Sequence, residues 1–357
     1  MYKKFKIKNK WIGKDQKAYI VFEAGPTHRG FESAKNLIKM AKKAGADAIK
    51  FQIFDTDRFI SNKTQKFQYE ILINKKKNKS KKINESLYQI FKRRELKKKQ
   101  WAQLAKLCRR LNIGFFATCG FTDEIKFLKK IGCDSIKIAS ADVNHIPLIK
   151  EAARTNLCIQ LDTGMSTLDE IKNASKILKK NGCKKMIIHH CPSGYPANSD
   201  NINLNILKTL RKKFNCPIAY SDHSIGYELD LVAFTHGAHL LEKTITENRM
   251  IKSVEHIMSL EFQEMKKFVD AVRVAEKAFG TYSRKLSTKD TKQRNLLRRS
   301  AFFAKKYSKN TLLSNCQISF KRPGIGIQPD EFEKIKNVRR LKRDVNIGEI
   351  VLKKNLI

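Results

Sequence analysis

Strand-like and helix-like patterns alternate through the first 279 residues, and this alternation most constrains the fold. Apolar, β-prone runs occur at "AYIVFEAG" (18–25), "ADAIKFQIF" (46–54), "IGFFAT" (113–118) and "CDSIKIAS" (133–140), and continue at "LCIQLDTG" (157–164), "CKKMIIHHC" (183–191), "CPIAYSDHS" (216–224) and "AHLLEKTIT" (238–246). Helical patterns separate them. Ala34, Leu37, Ile38, Ala41 and Ala44 fall at helical spacing before Gly45, a natural C-terminal stop. Thr167 and Glu170 form a capping-box pattern before Ile171, Ala174, Ile177 and Leu178. Repeated βα units imply a parallel sheet, and eight of them fit a closed α/β barrel, the (β/α)8 TIM barrel. A doubly wound sheet would also alternate, but no G-x-G-x-x-G follows the first strand.

The pattern breaks in two places. A basic excursion from Ser61 to about Lys99 reads as partly helical and partly loop. After Phe279 comes a polar stretch, "GTYSRKLSTKDTKQRN", and then short strand-like runs broken by turns. The expected organisation is a barrel over 1–279, a linker over 280–296 and a small β-rich domain over 297–357.

Lys50 and Lys137 stand inside otherwise apolar runs. Ionised lysine is almost never fully buried without a partner. Each lies near the C-terminal end of its predicted strand, where barrels carry their active-site groups. Two such lysines point to a shared anion; the plainer reading pairs each with an acidic neighbour. Other polar residues fall at the same ends: Glu23, Gln52, Thr118, Ser140, Asp162, Ser193, Tyr195, Asp222, His223 and Glu242. A lone histidine such as His223 is a hydrogen-bonding residue or a metal ligand, and both readings stand here.

The formal net charge is +40, from 74 basic and 34 acidic residues. The lysines are spread through the helical segments and no nucleic-acid motif accompanies them, so solvated faces explain them better than a specific nucleic-acid partner. Such a potential would still steer small anions inward. No apolar run is long enough to span a membrane. The start, "MYKKFKIKNKW", lacks the apolar core of a signal peptide. Eight cysteines without a C-x-x-C pair fit reduced thiols. The expectation is a cytoplasmic protein.

Nine segments in order, "FEAGPTHRG", "AGADAIKFQ", "FFAT", "IKIASAD", "LDTGMSTLDEI", "HHCPSGYPA", "YSDHSIG", "EKTIT" and "VEHIMSLE", resemble the sialic acid synthase family. These are phosphoenolpyruvate-dependent enzymes that make N-acetylneuraminate and related nonulosonates. "KRPGIGI" resembles the signature of the antifreeze-protein-like (SAF) domain of those enzymes. The resemblance implies that Lys50 and Lys137 hold phosphoenolpyruvate with Thr118 and Ser140, and that Ser193 stands beside the phosphate. It places Glu23, Gln52, Tyr195 and Glu255 on sugar-site or catalytic positions, with Glu23, Asp142 and Lys137 as the catalytic set. Arg322 corresponds to an arginine that reaches the partner's barrel in a domain-swapped homodimer. A divalent ion, manganese or magnesium, is implied to polarise the open-chain aldehyde of an N-acylated amino sugar such as N-acetylmannosamine.

Three positions depart from the family pattern. Asp142 replaces glutamate, Asp162 replaces serine, and Thr244 replaces a second metal histidine. His223 is then the expected ligand, with His256 as its replacement partner. The expected function is a nonulosonate synthase that releases phosphate by C–O cleavage. The alternatives are a phosphoenolpyruvate-dependent synthase using another aldose, or a barrel that has lost catalysis and binds anions.

Overall fold

A computed structural model describes residues 4–357, which divide into two compact units at Phe279/Gly280. The first unit is a closed barrel of eight parallel strands: β1 (Tyr19–Glu23), β2 (Ala48–Ile53), β3 (Gly114–Cys119), β4 (Ser135–Ile138), β5 (Cys158–Asp162), β6 (Met186–His190), β7 (Ile218–Asp222) and β8 (Leu240–Thr244). They pair in sequence order, and β8 closes on β1 with Thr244 beside Glu23. All eight coincide with the apolar runs of the sequence.

Strand periodicity explains how lysine sits inside such runs. In β2, Ile49, Phe51 and Ile53 join the large outer core beneath the helices, while Ala48 belongs to the inner core of the barrel. Lys50 and Gln52 follow Ala48 on that inward face. Apolar residues of the inner core, among them Tyr19, Val21, Ala48, Phe116, Cys158, Ile187, Ala219 and Leu240, fill the N-terminal half of the barrel. The next inward positions along each strand are polar. A short antiparallel hairpin, Phe5–Ile7 with Lys10–Ile12, inserts Ile7 and Ile12 into the same cluster and seals that end.

The helices follow from local chemistry. The helix Phe31–Ala44 buries Ala34, Leu37, Ile38 and Ala41, and Gly45 ends it with φ +94°, a left-handed geometry that favours glycine. The helix Leu168–Lys180 opens on the Thr167–Glu170 capping box.

The excursion after β2 differs from expectation. Lys66–Asn74 and Lys79–Ser86 form an antiparallel hairpin, followed by the helix Leu87–Lys92. Phe67, Tyr69, Ile71 and Ile83 pack with Ile90 and Val254 under the hairpin, while its lysines face water. This two-residue alternation is a strand signal that the density of lysine obscures.

The second unit has its own core, including Ala301, Phe303, Leu313, Ile327, Phe332, Leu341 and Val351. The strands Ser300–Phe303 and Ile318–Lys321 pair antiparallel, and a helix covers Pro329–Ile335. The segment expected as a linker is not wholly irregular. Thr288–Leu297 is an exposed helix, started by a capping box of Ser287 and Asp290. No helix among the described residues is long and apolar enough to cross a membrane.

Candidate active site

At the C-terminal end of the barrel a cavity of about 520 Å³ opens above the polar inward layer. Its floor is an ion network. Lys50, on β2, places Nζ 2.7 Å from Glu23 Oε2 and 2.6 Å from Glu242 Oε1. Lys137, on β4, places Nζ 2.6 Å from the same Glu242 oxygen and 2.8 Å from Asp162 Oδ2. Ser221 donates to that oxygen at 2.7 Å. Both lysines are almost wholly buried, at 3% and 1% exposure. The shared anion expected from the sequence is therefore present within the chain itself, as Glu242, and the plainer pairing with acidic neighbours also holds.

Burial alone would push these groups toward neutrality; the mutual contacts reverse that. Burial lowers the Lys137 ammonium, but Asp162 and Glu242 hold it well above its ordinary range. Burial raises Glu242, yet Lys137 and Lys50 bring it well below the usual carboxylate range. Asp162 is depressed in the same way, mainly by Lys137. The floor is thus fully ionised, with two ammonium groups against the three carboxylates of Glu23, Glu242 and Asp162. Glu242 Oε2 and Asp162 Oδ1 are buried without a hydrogen-bond partner in the protein. Beneath them, neutral His189 donates from Nε2 to Gln160 Oε1 at 2.8 Å, its pKa lowered to about 3 chiefly by burial.

Local backbone geometry fixes Glu23. Gly25 N–H donates to its Oε1 at 2.6 Å. A Cβ on Gly25 would lie 2.5 Å from Gln52 Cγ and 2.8 Å from Glu23 Oε1, so only glycine allows this approach. Gln52, Thr118, Ser140, Asp142, Tyr195, His223 and Glu255 also line the cavity. Burial raises the Asp142 carboxyl. Burial, then Glu23, raises Glu255 to about 8, and Thr244 Oγ1 donates to it at 3.4 Å. Tyr195 stacks near the His223 ring, with centroids 4.8 Å apart.

Three expected residues lie elsewhere. Ser193 is exposed and is not among the cavity residues, because the chain turns outward after Pro192. His256 is also outside the lining; it is buried, and its Nδ1 is engaged by Thr246 Oγ1 at 2.7 Å. Arg322 belongs to the second unit, where its Nε donates to Leu297 O at 2.8 Å.

The metal expectation meets a poor donor set. His223 Nδ1 faces Pro192 O at 3.1 Å, which leaves Nε2 as its free acceptor. Its pKa is lowered to about 4, first by burial, so the ring is neutral. Yet Thr244 supplies no imidazole, His256 is turned away, and Glu23, Asp162 and Glu242 are already bound to lysines. Among the described residues no group of three or more His, Cys, Asp or Glu is arranged to hold an ion. These residues do not fit a protein-held divalent centre, so the pairing of His223 with His256 is set aside.

Sequence reasoning missed two residues. Glu242 was visible only as one of many strand-end groups; the adjacent charges of "LLEKT" were the available signal. Being neighbours in a strand, they point opposite ways, Glu242 into the barrel and Lys243 outward to Asp222. Arg94 carried no motif, yet it lines the cavity beside Phe54, Ile90 and Phe91.

Comparison with known proteins adds an independent result. Residues 37–284 match the NeuB family. The chain is 33% identical over 321 residues to N,N'-diacetyllegionaminic acid synthase of Campylobacter jejuni, covering 89% of this chain and 94% of that one. It is 30% identical over 339 residues to pseudaminic acid synthase of the same species, covering 94% and 95%. Among solved structures, N-acetylneuraminic acid synthetase from Leptospira borgpetersenii in complex with citrate superposes with a TM-score of 0.71 at 31% identity, covering 82% of this chain and 95% of that one.

Proposed function

The chain belongs to the NeuB family and is a carbohydrate-biosynthetic enzyme of the sialic acid synthase type; from that premise we propose that it condenses phosphoenolpyruvate with an N-acylated amino sugar and releases phosphate by C–O cleavage. The observation that carries this reading is the convergence of Lys50 and Lys137 on one oxygen of Glu242 at the cavity floor. Two fixed cations in a water-poor pocket suit a small ligand with a carboxylate and a phosphate. Retention of the whole network also argues against a decayed anion-binding barrel.

In the proposed reaction carbon 3 of phosphoenolpyruvate attacks the aldehyde carbon of the open-chain sugar. The aldehyde oxygen takes a proton and becomes a hydroxyl. Positive charge develops at carbon 2, within reach of the floor carboxylates. Water adds there, loses its protons, and phosphate departs with the former bridging oxygen. Thr118 and Ser140 offer hydroxyl donors to the phosphoenolpyruvate, and Lys50 and Lys137 orient it. Glu23, held by Gly25 N–H and Lys50, is a base for the incoming water. Asp142, with its carboxyl raised by burial, is placed to exchange a proton near working pH. Glu255 keeps its proton at neutral pH and so offers an O–H to a sugar oxygen.

The test is a reaction in ¹⁸O-water with phosphoenolpyruvate and N-acylated hexosamines. The label is expected in the 2-keto acid product and not in phosphate. Label in phosphate would indicate P–O cleavage and overturn the proposed route.

A further inference from the structure

Arg94 is a buried cation with no ion-pair partner. It is 3% exposed and lines the cavity, yet among the described residues no carboxylate oxygen lies within 4.0 Å of it. Its neighbours in sequence behave differently: Arg93 turns outward onto Glu85, and Glu95 pairs with Lys92. The Arg94 guanidinium is fixed from behind, with Nε donating to Ile90 O at 3.0 Å and its carbon 5.0 Å from the Phe91 ring centre and 5.8 Å from that of Phe54. Its terminal N–H groups have no bond within the protein.

A buried, unpaired cation is costly, so the arrangement makes sense when a ligand supplies the acceptor. A dianion fits poorly, because one guanidinium stands alone among Phe54, Phe59, Phe91 and Val254 with no lysine or hydroxyl beside it. An acylamino group fits both features: its carbonyl accepts from the fork, and its alkyl end meets the aromatic wall. We propose that Arg94 is a specificity-determining residue that receives a second acylamino substituent on the acceptor sugar, beyond the one already assigned. This rests on the reading of the cavity as a sugar-binding synthase site. Burial lowers the Arg94 pKa only to about 10, so it stays charged at working pH.

Calorimetric binding separates this inference from the reaction itself. The probes are a 2-acetamido hexose, a 2,4-diacetamido hexose and a 2-acetamido hexose 6-phosphate, each added without phosphoenolpyruvate to the full chain and to its Arg94→Leu and Arg94→Lys variants. The full chain is expected to prefer the diacetamido sugar over the monoacetamido one by about 10- to 100-fold. Arg94→Leu should erase that preference, and Arg94→Lys should keep only part of it. The unliganded Arg94→Leu protein should unfold at the same or a higher temperature, because an uncompensated charge is removed. Preference for the 6-phosphate that vanishes in Arg94→Leu, no preference in the full chain, or a lowered unfolding temperature with the preference intact would each overturn the proposal. Phosphate release on adding phosphoenolpyruvate is read separately; its absence with every sugar would count against the synthase reading while leaving the binding result to stand or fall alone.

Discussion

Lys50 and Lys137, from strands β2 and β4, place their ammonium groups on a single carboxylate oxygen, Glu242 Oε1, at 2.6 Å from each. Neither lysine is held by its own strand's neighbours alone. The pair is spaced by a residue on β8, across the barrel interior, so the spacing depends on barrel closure. Removing the negative charge should therefore disturb both lysines at once. Glu242→Gln is expected to cost about 3–5 kcal/mol of stability, the scale of breaking a buried pair. Denaturant unfolding measures this, and a loss below about 1 kcal/mol would show that the lysines find other partners.

Asp162 gives the floor its third carboxylate, where the family pattern has serine. An incoming anion must coexist with that charge. Asp162→Ser is expected to lower the KM for phosphoenolpyruvate by about tenfold, equivalent to ~1.4 kcal/mol. Initial rates of phosphate release at varied phosphoenolpyruvate give the answer. A raised KM would mean that Asp162 positions Lys137 rather than opposing the substrate.

Glu255 should make sugar binding and stability depend on pH. Its folded-state pKa is raised from 4.5 to about 8, so the folded chain keeps a proton that the unfolded chain releases. The associated stability is fully present below 4.5 and is lost as pH rises through about 8. The KM for the sugar should rise above that value. Glu255→Gln should flatten both trends, as read from unfolding temperature and initial rates across this range. Identical pH profiles in both proteins would remove Glu255 from the sugar site.

Thr244 offers a gain-of-function test of the donor set. Asp222 and Lys243 pair in register, and His223 and Thr244 follow one residue beyond each. Thr244→His would set a second imidazole beside the first. After dialysis, elemental analysis should find well under one manganese per chain in the natural protein and about one in the variant. Stoichiometric retention by the natural protein would show that His223 recruits ligands other than those named above.

Arg322 is proposed to act in trans on a second copy of the chain. Mixed dimers of Arg322→Ala and Lys137→Ala subunits should regain part of the activity that each variant lacks alone, because one hybrid site is intact. Verified mixed dimers without recovery would confine Arg322 to its own unit.

The barrel was legible because a strand buried on both faces is apolar enough to stand out, as "MIIHH" and "LLEKT" do. The lysines were legible because each violates that rule within its run. The partners that explain them were not, since Glu23, Asp162 and Glu242 reach Lys50 and Lys137 only when distant strands close the barrel. The hairpin Lys66–Ser86 was hidden because its outward lysines outnumber its inward Phe67, Tyr69, Ile71 and Ile83. His256 looked available beside Glu255, but the turn there directs one side chain to the cavity and the other to Thr246.

The cavity draws on two separately encoded parts. Its ionic floor comes from strand termini scattered along the whole barrel, whereas much of its apolar wall comes from the contiguous stretch from Phe54 to Arg94. A floor residue cannot change without disturbing contacts to several strands at once. The wall can be exchanged as one cassette between the ends of β2 and β3, which leaves every ion pair of the floor in place. Transplanting this cassette between related barrels is thus a route to altered acceptor choice with conserved chemistry, and natural divergence of acceptor preference has the same path open to it.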